Sequence, residues 1–381
     1  MDKVAVVACA DYRDAEAAVR SALDLLGMTS AFRGKRVLLK VNLMKGAAPH
    51  LALNTHPEFV RAVVRVVHAQ GGRAIVADSS GILGLTAEAF RAAGIAAVVA
   101  EEGAELLDLD TCRPVRREVA GRILREVWVP EVLDQVDVLV TVPKLKTHTL
   151  TGMTCALKNQ VGILPGGFKC HIHEVAPTPP RLAHAILDLN QAVRFSLAIV
   201  DGILGLAGQG KFAPPTPTRL GAVVAGDNLV STDAVCAHLI GLRPEAVLTT
   251  RYGAERGMGQ CDLTGIETVG DAPERLRTAF LPPGFEPKRW RLFARLFYHV
   301  RGRSVRPVVR RELCTRCGEC AAVCPTGALV LSPYPRISGA CIFCFACRAR
   351  CRTGALQLRC RWLLRRSFRK RAAGLDISQI A

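Results

Sequence analysis

Eight cysteines near the carboxyl end repeat one spacing twice. Cys314, Cys317, Cys320 and Cys324 stand in the pattern C-x2-C-x2-C-x3-C, and Cys341, Cys344, Cys347 and Cys351 repeat it. Three thiolates in one tight loop can hold three corners of a cubane, and a fourth, three residues on, points elsewhere. Zinc takes its ligands from two separated C-x2-C pairs, so two zinc knuckles fit this spacing poorly. Two [4Fe–4S] clusters fit it well. In two-cluster chains the fourth cysteine of each run serves the other cluster. Cluster one is therefore assigned to Cys314, Cys317, Cys320 and Cys351, and cluster two to Cys341, Cys344, Cys347 and Cys324. The tetrapeptide TGAL, at Thr326–Leu329 and Thr353–Leu356, keeps the same 27-residue offset as the cysteines, which implies a duplicated half-domain. The chemistry this predicts is one-electron transfer.

A second set of polar residues sits where apolar runs end. Lys40 and Asn42 end the run RVLLKVN, Asp78, Ser79 and Ser80 follow RAIVA, and Lys144, Lys146 and His148 follow VDVLVTVP. Asp201 ends LAIV, and Asp227 and Asn228 end LGAVVAG. Ligands of open α/β sheets bind outside the carboxyl ends of strands, so these ends predict a site. Lysines dominate them, which suits an anionic small molecule. Lys40, Asn42, Asp78, Ser79, Lys144, Lys146, Lys158 and Asp201 are the candidate ligand-binding residues, and His148 is the candidate proton donor. Each alone also reads as an ordinary loop group or cap. Gly202, Gly205, Gly208 and Gly210 form a glycine-rich turn without dinucleotide-binding spacing. Cys170-His171-x-His173 has no second ligand group, so it reads as structural.

The elements that would position these groups follow from pattern. The Val-rich runs are continuous rather than alternating, as in strands buried on both faces. Helical patterns lie between them. Thr55-His-Pro-Glu58 reads as a capping box before Phe59, Val60, Val63, Val64 and Val67, and Gly71-Gly72 stops that helix. Ser231 or Thr232 opens another, ended by Gly241. Alternating strand and helix predicts an α/β fold with an open, mostly parallel sheet and helices on both faces.

Two stretches resemble known families. Residues 308–359 resemble a bacterial two-cluster ferredoxin, a small α+β domain. PVVRREL and ALQLR would be its terminal strands and ALVLSPYPRIS a hairpin. Pro325 follows the first run as in that family, whereas Arg352 follows the second. Roughly residues 35 to 275 resemble the domain-of-unknown-function family 362. The motifs are KVNL (Lys40–Leu43), THPEFVRAVV (Thr55–Val64), ADSSG (Ala77–Gly81), VPKLKTHTLTGMTCALKNQVGILPG (Val142–Gly166), IVDGILGLAGQG (Ile199–Gly210), STDAV (Ser231–Val235) and ERGMG (Glu255–Gly259). This resemblance implies an α/β domain with a ferredoxin module as a common companion. It implies no activity, because the family has none assigned.

Charge is distributed unevenly. The net charge is +18, and residues 286–371 hold 21 Lys/Arg against three Asp/Glu, so the rest of the chain is balanced. The stretch 286–307 reads as a basic amphipathic linker helix with Trp290, Phe293, Leu296, Phe297 and Val300 along one face. With the basic tail 360–381, and Arg361–Arg371 in particular, it suits packing on the cluster domain, an anionic membrane surface or an acidic protein. Nucleic acid ranks below these, since no nucleic-acid fold signature accompanies the charge. The amino terminus reads as a strand rather than a signal peptide, and no run has the length of a membrane span. A cytoplasmic chain is expected, with attachment to the periphery of a membrane as its variant. The other seven cysteines read mostly as buried thiols.

The domains expected are thus 1–285, 286–307, 308–359 and 360–381. The expected function is electron transfer through two [4Fe–4S] clusters to or from an anion bound by the α/β domain, with a redox protein as partner. The alternatives are a ferredoxin-like carrier with a docking α/β domain, and a redox-sensing anion-binding regulator.

Overall fold

The computed structural model describes residues 1–81, 84–208, 214–282 and 290–361, with side chains omitted at 290–292. The tail Arg361–Arg371 lies almost wholly outside the described residues, as do Gly210 and the start of the linker stretch.

Ten strands form one mixed sheet. They are β1 (Asp2–Ala8), β2 (Arg36–Val41), β3 (Arg73–Asp78), β4 (Glu105–Asp108), β7 (Val138–Val142), β8 (Lys144–His148), β9 (Gly152–Thr154), β10 (Leu197–Ala207), β11 (Thr216–Gly226) and β12 (Ile266–Gly270). A separate hairpin pairs β5 (Pro114–Glu118) with β6 (Glu126–Pro130). The main order is β12-β1-β11-β10-β7-β2-β3-β4, with β8 on β10 and β9 on β8. The β10-β7-β2-β3-β4 neighbours are all parallel, while β11 runs antiparallel to β1 and β10.

Both faces are covered, which accounts for the unbroken apolar runs. Val37 and Leu39 enter one core with the helices Ala15–Leu25 and Pro57–Ala69. Leu38 enters the other with Pro179–Ala192 and Leu229–Leu239. Alternation along β2 thus feeds two cores rather than one core and solvent.

Two helix starts differ from their expected caps. His56, not Thr55, caps Pro57–Ala69, its ring nitrogen accepting the Glu58 N–H. The Thr55 hydroxyl is taken by the Val142 carbonyl at the carboxyl end of β7. Asn228, not Ser231 or Thr232, caps Leu229–Leu239, because its side-chain oxygen reaches two N–H groups at once.

The helix Trp290–Gly302 packs along Phe168–Val175 and leads into the cysteine module. There β13 (Val305–Val309) pairs antiparallel with β16 (Leu356–Cys360), and β14 (Leu329–Leu331) with β15 (Pro335–Ile337). The duplication reaches the backbone dihedrals. Arg316 and Phe343 both have positive φ, as do Gly318 and Phe345, and each pair keeps the offset of 27. Non-glycine residues hold this conformation at a cost of about 1–3 kcal/mol each, the kind of strain that marks functional loops.

Candidate functional site

A cavity of about 490 Å³ opens at the carboxyl ends of β2 and β3. Lys40, Asn42, Asp78, Ser79, Lys146, His148 and Lys158 all line it. Topology explains the convergence: β2 and β3 are neighbours, β7 flanks β2, and β8 follows β7 directly in the chain and pairs with β10 past the end of the β7 pairing. The segment Ala156–Ile163 forms a floor carrying Lys158 and Asn159, and Phe168–Val175 supplies Lys169, Cys170 and His173.

The cations differ in how they are matched. Lys40, 1 % exposed, bonds Asp78 Oδ1 at 2.9 Å. Asp78 also accepts the N–H groups of Leu43 and Ser79, and burial still pushes its carboxyl up to about 6. Lys169 donates to Ser79 and lies 3.3 Å from Asp110. Lys146 meets no carboxylate; it donates to Asn42 Oδ1 at 2.6 Å and to the Leu53 carbonyl at 2.9 Å. Lys158 has no hydrogen bond or ion pair among the described residues. Burial lowers Lys146 to about 7 and Lys158 to about 8, and neighbouring lysines push the same way. Excess positive charge in a confined, partly dry cavity favours an anion.

His148 Nδ1 accepts the N–H groups of Leu150 and Thr151, which places the ring proton on Nε2. Burial, then Lys158, holds its pKa well below the ordinary value. His148 is thus a neutral hydrogen-bond donor until an anion offsets those charges. His173 is likewise held neutral and stacks on Tyr298 at 4.5 Å. Tyr298, Phe297 and Arg301 come from Trp290–Gly302, so the linker helix walls the cavity.

Two expected residues stand outside the lining. Lys144, fully buried, bonds Asp201 Oδ2 at 2.5 Å, Tyr12 Oη and the Leu204 carbonyl. Asp201 also accepts from Tyr12 and from the His56 N–H. Strict alternation would have pointed Lys144, Lys146 and His148 one way. The β8–β10 pairing instead shifts register between Asp201/Lys144 and Leu206/Lys146, and Asp201 captures Lys144.

Sequence reasoning did not single out Asn159, Lys169 or Arg301. Asn159 lay in view within the Ala-Leu-Lys-Asn run. Lys169 and Arg301 carry no local signal, since only the packing of two helices brings them in. Among the described residues no group of three His, Cys, Asp or Glu is placed to hold a lone metal ion, Cys170, His171 and His173 included.

The cysteines gather in crossed sets. Cys314, Cys317, Cys320 and Cys351 line one small pocket together with Leu331 and Leu356. Cys324 is instead an electrostatic neighbour of Cys341, Cys344 and Cys347. Four thiols match a cubane's ligand number, and the C-x2-C-x2-C run, not that number, sets the arrangement apart from a four-cysteine zinc site. Burial raises Cys344 to about 12, so metal must displace its proton. Cys317 is exposed, whereas Cys344 and Cys347 are buried.

The second cysteine loop abuts the α/β domain. Gly167 donates its N–H to the Phe343 carbonyl at 3.0 Å, and a Cβ on Gly166 would lie 2.1 Å from the same oxygen. Gly166, at φ +49°, starts the turn into Phe168–Val175. Two residues past Gly167, Lys169 lines the cavity.

A family model described as "Domain of unknown function (DUF362)" matches residues 37–238, and one described as "4Fe-4S binding domain" matches residues 307–330. The chain is 31% identical over 251 residues to the thylakoid-associated protein sll1697 of Synechocystis, covering 63% of this chain and 74% of that one. Among solved structures, the lactate racemase apoprotein of Thermoanaerobacterium thermosaccharolyticum aligns with TM-score 0.38 and 11% identity. That alignment covers 64% of this chain and 58% of the racemase chain.

Proposed function

The chain belongs to the DUF362 family, with a 4Fe-4S binding domain on its carboxyl side, and from that premise we propose an iron–sulfur protein that exchanges single electrons with an anionic small molecule held in its α/β cavity. Cys314, Cys317, Cys320 and Cys351 would hold one [4Fe–4S] cluster, and Cys341, Cys344, Cys347 and Cys324 a second. When bound, such clusters supply or accept one electron each. Lys146, Lys158 and Arg301 bind the anion, with Asn42, Ser79 and Lys40 completing the polar lining. His148 donates its Nε2 proton as a hydrogen bond, and becomes a stronger base once the anion offsets Lys158. Phe297 and Tyr298 limit water on the open side.

One observation carries this reading: the Cys344 loop is hydrogen-bonded to the start of the helix whose Lys169 and Cys170 line the cavity. A module that merely shared the chain would not need that contact. The exposed loop at Cys317, on the far side of the duplication, would face a redox partner protein.

The test is anaerobic. Clusters reduced with dithionite and desalted are mixed with anions that can accept an electron, such as carboxylated quinones and oxidised flavin nucleotides, and reoxidation is followed by absorbance. At least one anion should accelerate reoxidation, and Lys158→Ala should remove the acceleration. If none does in the wild type, the carrier reading takes its place.

Peripheral membrane attachment belongs to the same proposal. Phe293 and Leu296 are each 63 % exposed and, with Phe297, stand at i, i+3 and i+4 on Trp290–Gly302. Arginines surround them, as in interfacial basic helices. No helix among the described residues is long and apolar enough to cross a membrane. The Synechocystis relative carries thylakoid association in its name.

A further inference from the structure

A second cavity of about 490 Å³ lies behind the floor of the first. Leu157 and Gln160 line it, while Lys158, Asn159, Val161 and Gly162 line the first, so one short segment separates the two. Asn190, Arg256, Arg194 and Asp227 complete its polar wall, with Phe195, Leu229 and Met258 as apolar wall.

The wall carries an unusual concentration of unsatisfied polar atoms. Gln160 is fully buried, and neither its Nε2 nor its Oε1 has a partner. Asn190 is 5 % exposed; its Nδ2 donates to the carbonyls of Leu157 and Ile186, which fixes the amide orientation and leaves Oδ1 as an unused acceptor. Arg256 spends one terminal nitrogen on Asp188 at 2.8 Å and the other on His184, and its Nε is unused. Four of the eight such atoms among the described residues thus belong to side chains of this one wall, set just behind its surface. Folded proteins rarely leave buried donors and acceptors unpaired, so clustering at one cavity points to a partner that is part of the working protein.

The atoms also define that partner. Gln160 Nε2 and Arg256 Nε are donors; Gln160 Oε1 and Asn190 Oδ1 are acceptors. The one buried cation, Arg256, is already matched by Asp188. At the rim Arg194 and Asp227, both exposed, balance each other. A set with two donors, two acceptors and no net charge does not select an anion, in contrast to the first cavity. We propose that this second cavity binds an uncharged small molecule presenting a donor and an acceptor side by side, the edge shared by primary carboxamides and nucleobases. Gln160 pairs with that edge through both amide atoms, turning from its buried position to do so. Apolar contact comes from Phe195 and Met258. The proposal does not depend on the electron-transfer reading.

Two probe sets separate the sources of that edge. Nicotinamide and benzamide represent carboxamides; uridine and adenosine represent nucleobases. Binding to the full-length, cluster-loaded protein is measured by saturation-transfer NMR and calorimetry. One set should bind saturably, with affinity unchanged by 0.5 M salt because no charge is involved. Gln160→Met, close in volume, should weaken binding at least tenfold while leaving thermal stability equal or higher, since it removes two unpaired polar atoms. Gln160→Glu, which swaps the donor for an acceptor, should also lose binding and keeps the test alive if the methionine variant misfolds. Ordered water alone would show as no saturable binding of any probe. That result, or binding that survives both substitutions, overturns the proposal.

Discussion

The N–H of Gly167 and the carbonyl of Phe343 meet at 3.0 Å, joining the start of a cavity-lining helix to the loop that carries Cys344. Neither side chain takes part, so the join depends on backbones approaching closely. Gly166, Gly167 and Gly302 make that approach feasible: a Cβ on Gly167 would lie 2.8 Å from the Gly302 carbonyl.

Gly166→Ala is therefore expected to undock the cysteine module. The added carbon would sit 2.1 Å from a backbone oxygen, and φ of +49° disfavours any side chain. Cluster absorbance should persist while limited proteolysis between the modules accelerates and anion-dependent reoxidation slows. An unchanged proteolysis pattern would show that the contact does not hold the modules together.

Iron analysis of anaerobically prepared protein should give about eight iron and eight sulfide per chain, from two cubanes. Cys351→Ala should damage the cluster of Cys314, Cys317 and Cys320 and spare that of Cys341. Electron paramagnetic resonance of the reduced variant distinguishes the two. Loss of the Cys341 signal instead would uncross the ligand sets.

Lys158 and Lys146 give a pH signature with two opposite signs. Their folded-state pKa values, about 8 and about 7, lie below the unfolded value, so the unfolded chain binds more protons between about pH 7 and 10. Stability of the ligand-free protein should rise with pH across that window. Anion affinity should fall across it, because binding needs the ammonium form. Calorimetry at pH 6.5 and 9 checks the second sign and denaturant titration the first. Lys158→Ala should flatten both, and equal affinities at the two pH values would exclude lysine charge as the determinant.

Lys144 should behave as a structural residue. Asp201→Ala leaves a fully buried ammonium unmatched, which costs about 3–5 kcal/mol. Lys144→Met with Asp201→Leu should recover most of that loss, and the double variant should bind anions as the wild type does. Weaker anion binding in the double variant would return Lys144 to the site.

Anionic vesicles of phosphatidylglycerol should bind the protein at low salt and release it at high salt, whereas phosphatidylcholine vesicles should not bind. Phe293→Ser with Leu296→Ser should reduce binding several-fold without changing cluster absorbance. Undiminished binding by that variant would leave attachment to charge alone.

The cysteine module was legible because metal ligation fixes ligand type and spacing along the chain. The sheet was legible because strands buried on both faces write continuous apolar runs, as β2 and β3 do. The site was half legible. Strand-end lysines could be located, but not their partners: Asp201 lies 57 residues from Lys144 in sequence and meets it only through an irregular strand pairing. Local motifs also misplaced two caps. Thr55 and Ser231 have cap chemistry, but tertiary contacts with the Val142 carbonyl and with Asp2 claim their hydroxyls. The basic excess of residues 286–371 was legible too, but not its local matching: Arg350 and Arg352 both reach Glu319, the first at 3.1 Å.

The helix Trp290–Gly302 has a consequence for control. One of its faces closes the cavity through Tyr298 and Arg301, and its carboxyl end runs directly into the module that carries the cysteines. If filling the cavity favours the seating of that module, the module's seating must favour filling by the same free energy. On the proposed reading, a molecule that enters the cavity would tighten the seat of the cysteine loop, and anything that draws the helix outward, a lipid surface included, would loosen both together. Loading and electron delivery would then rise and fall as one event.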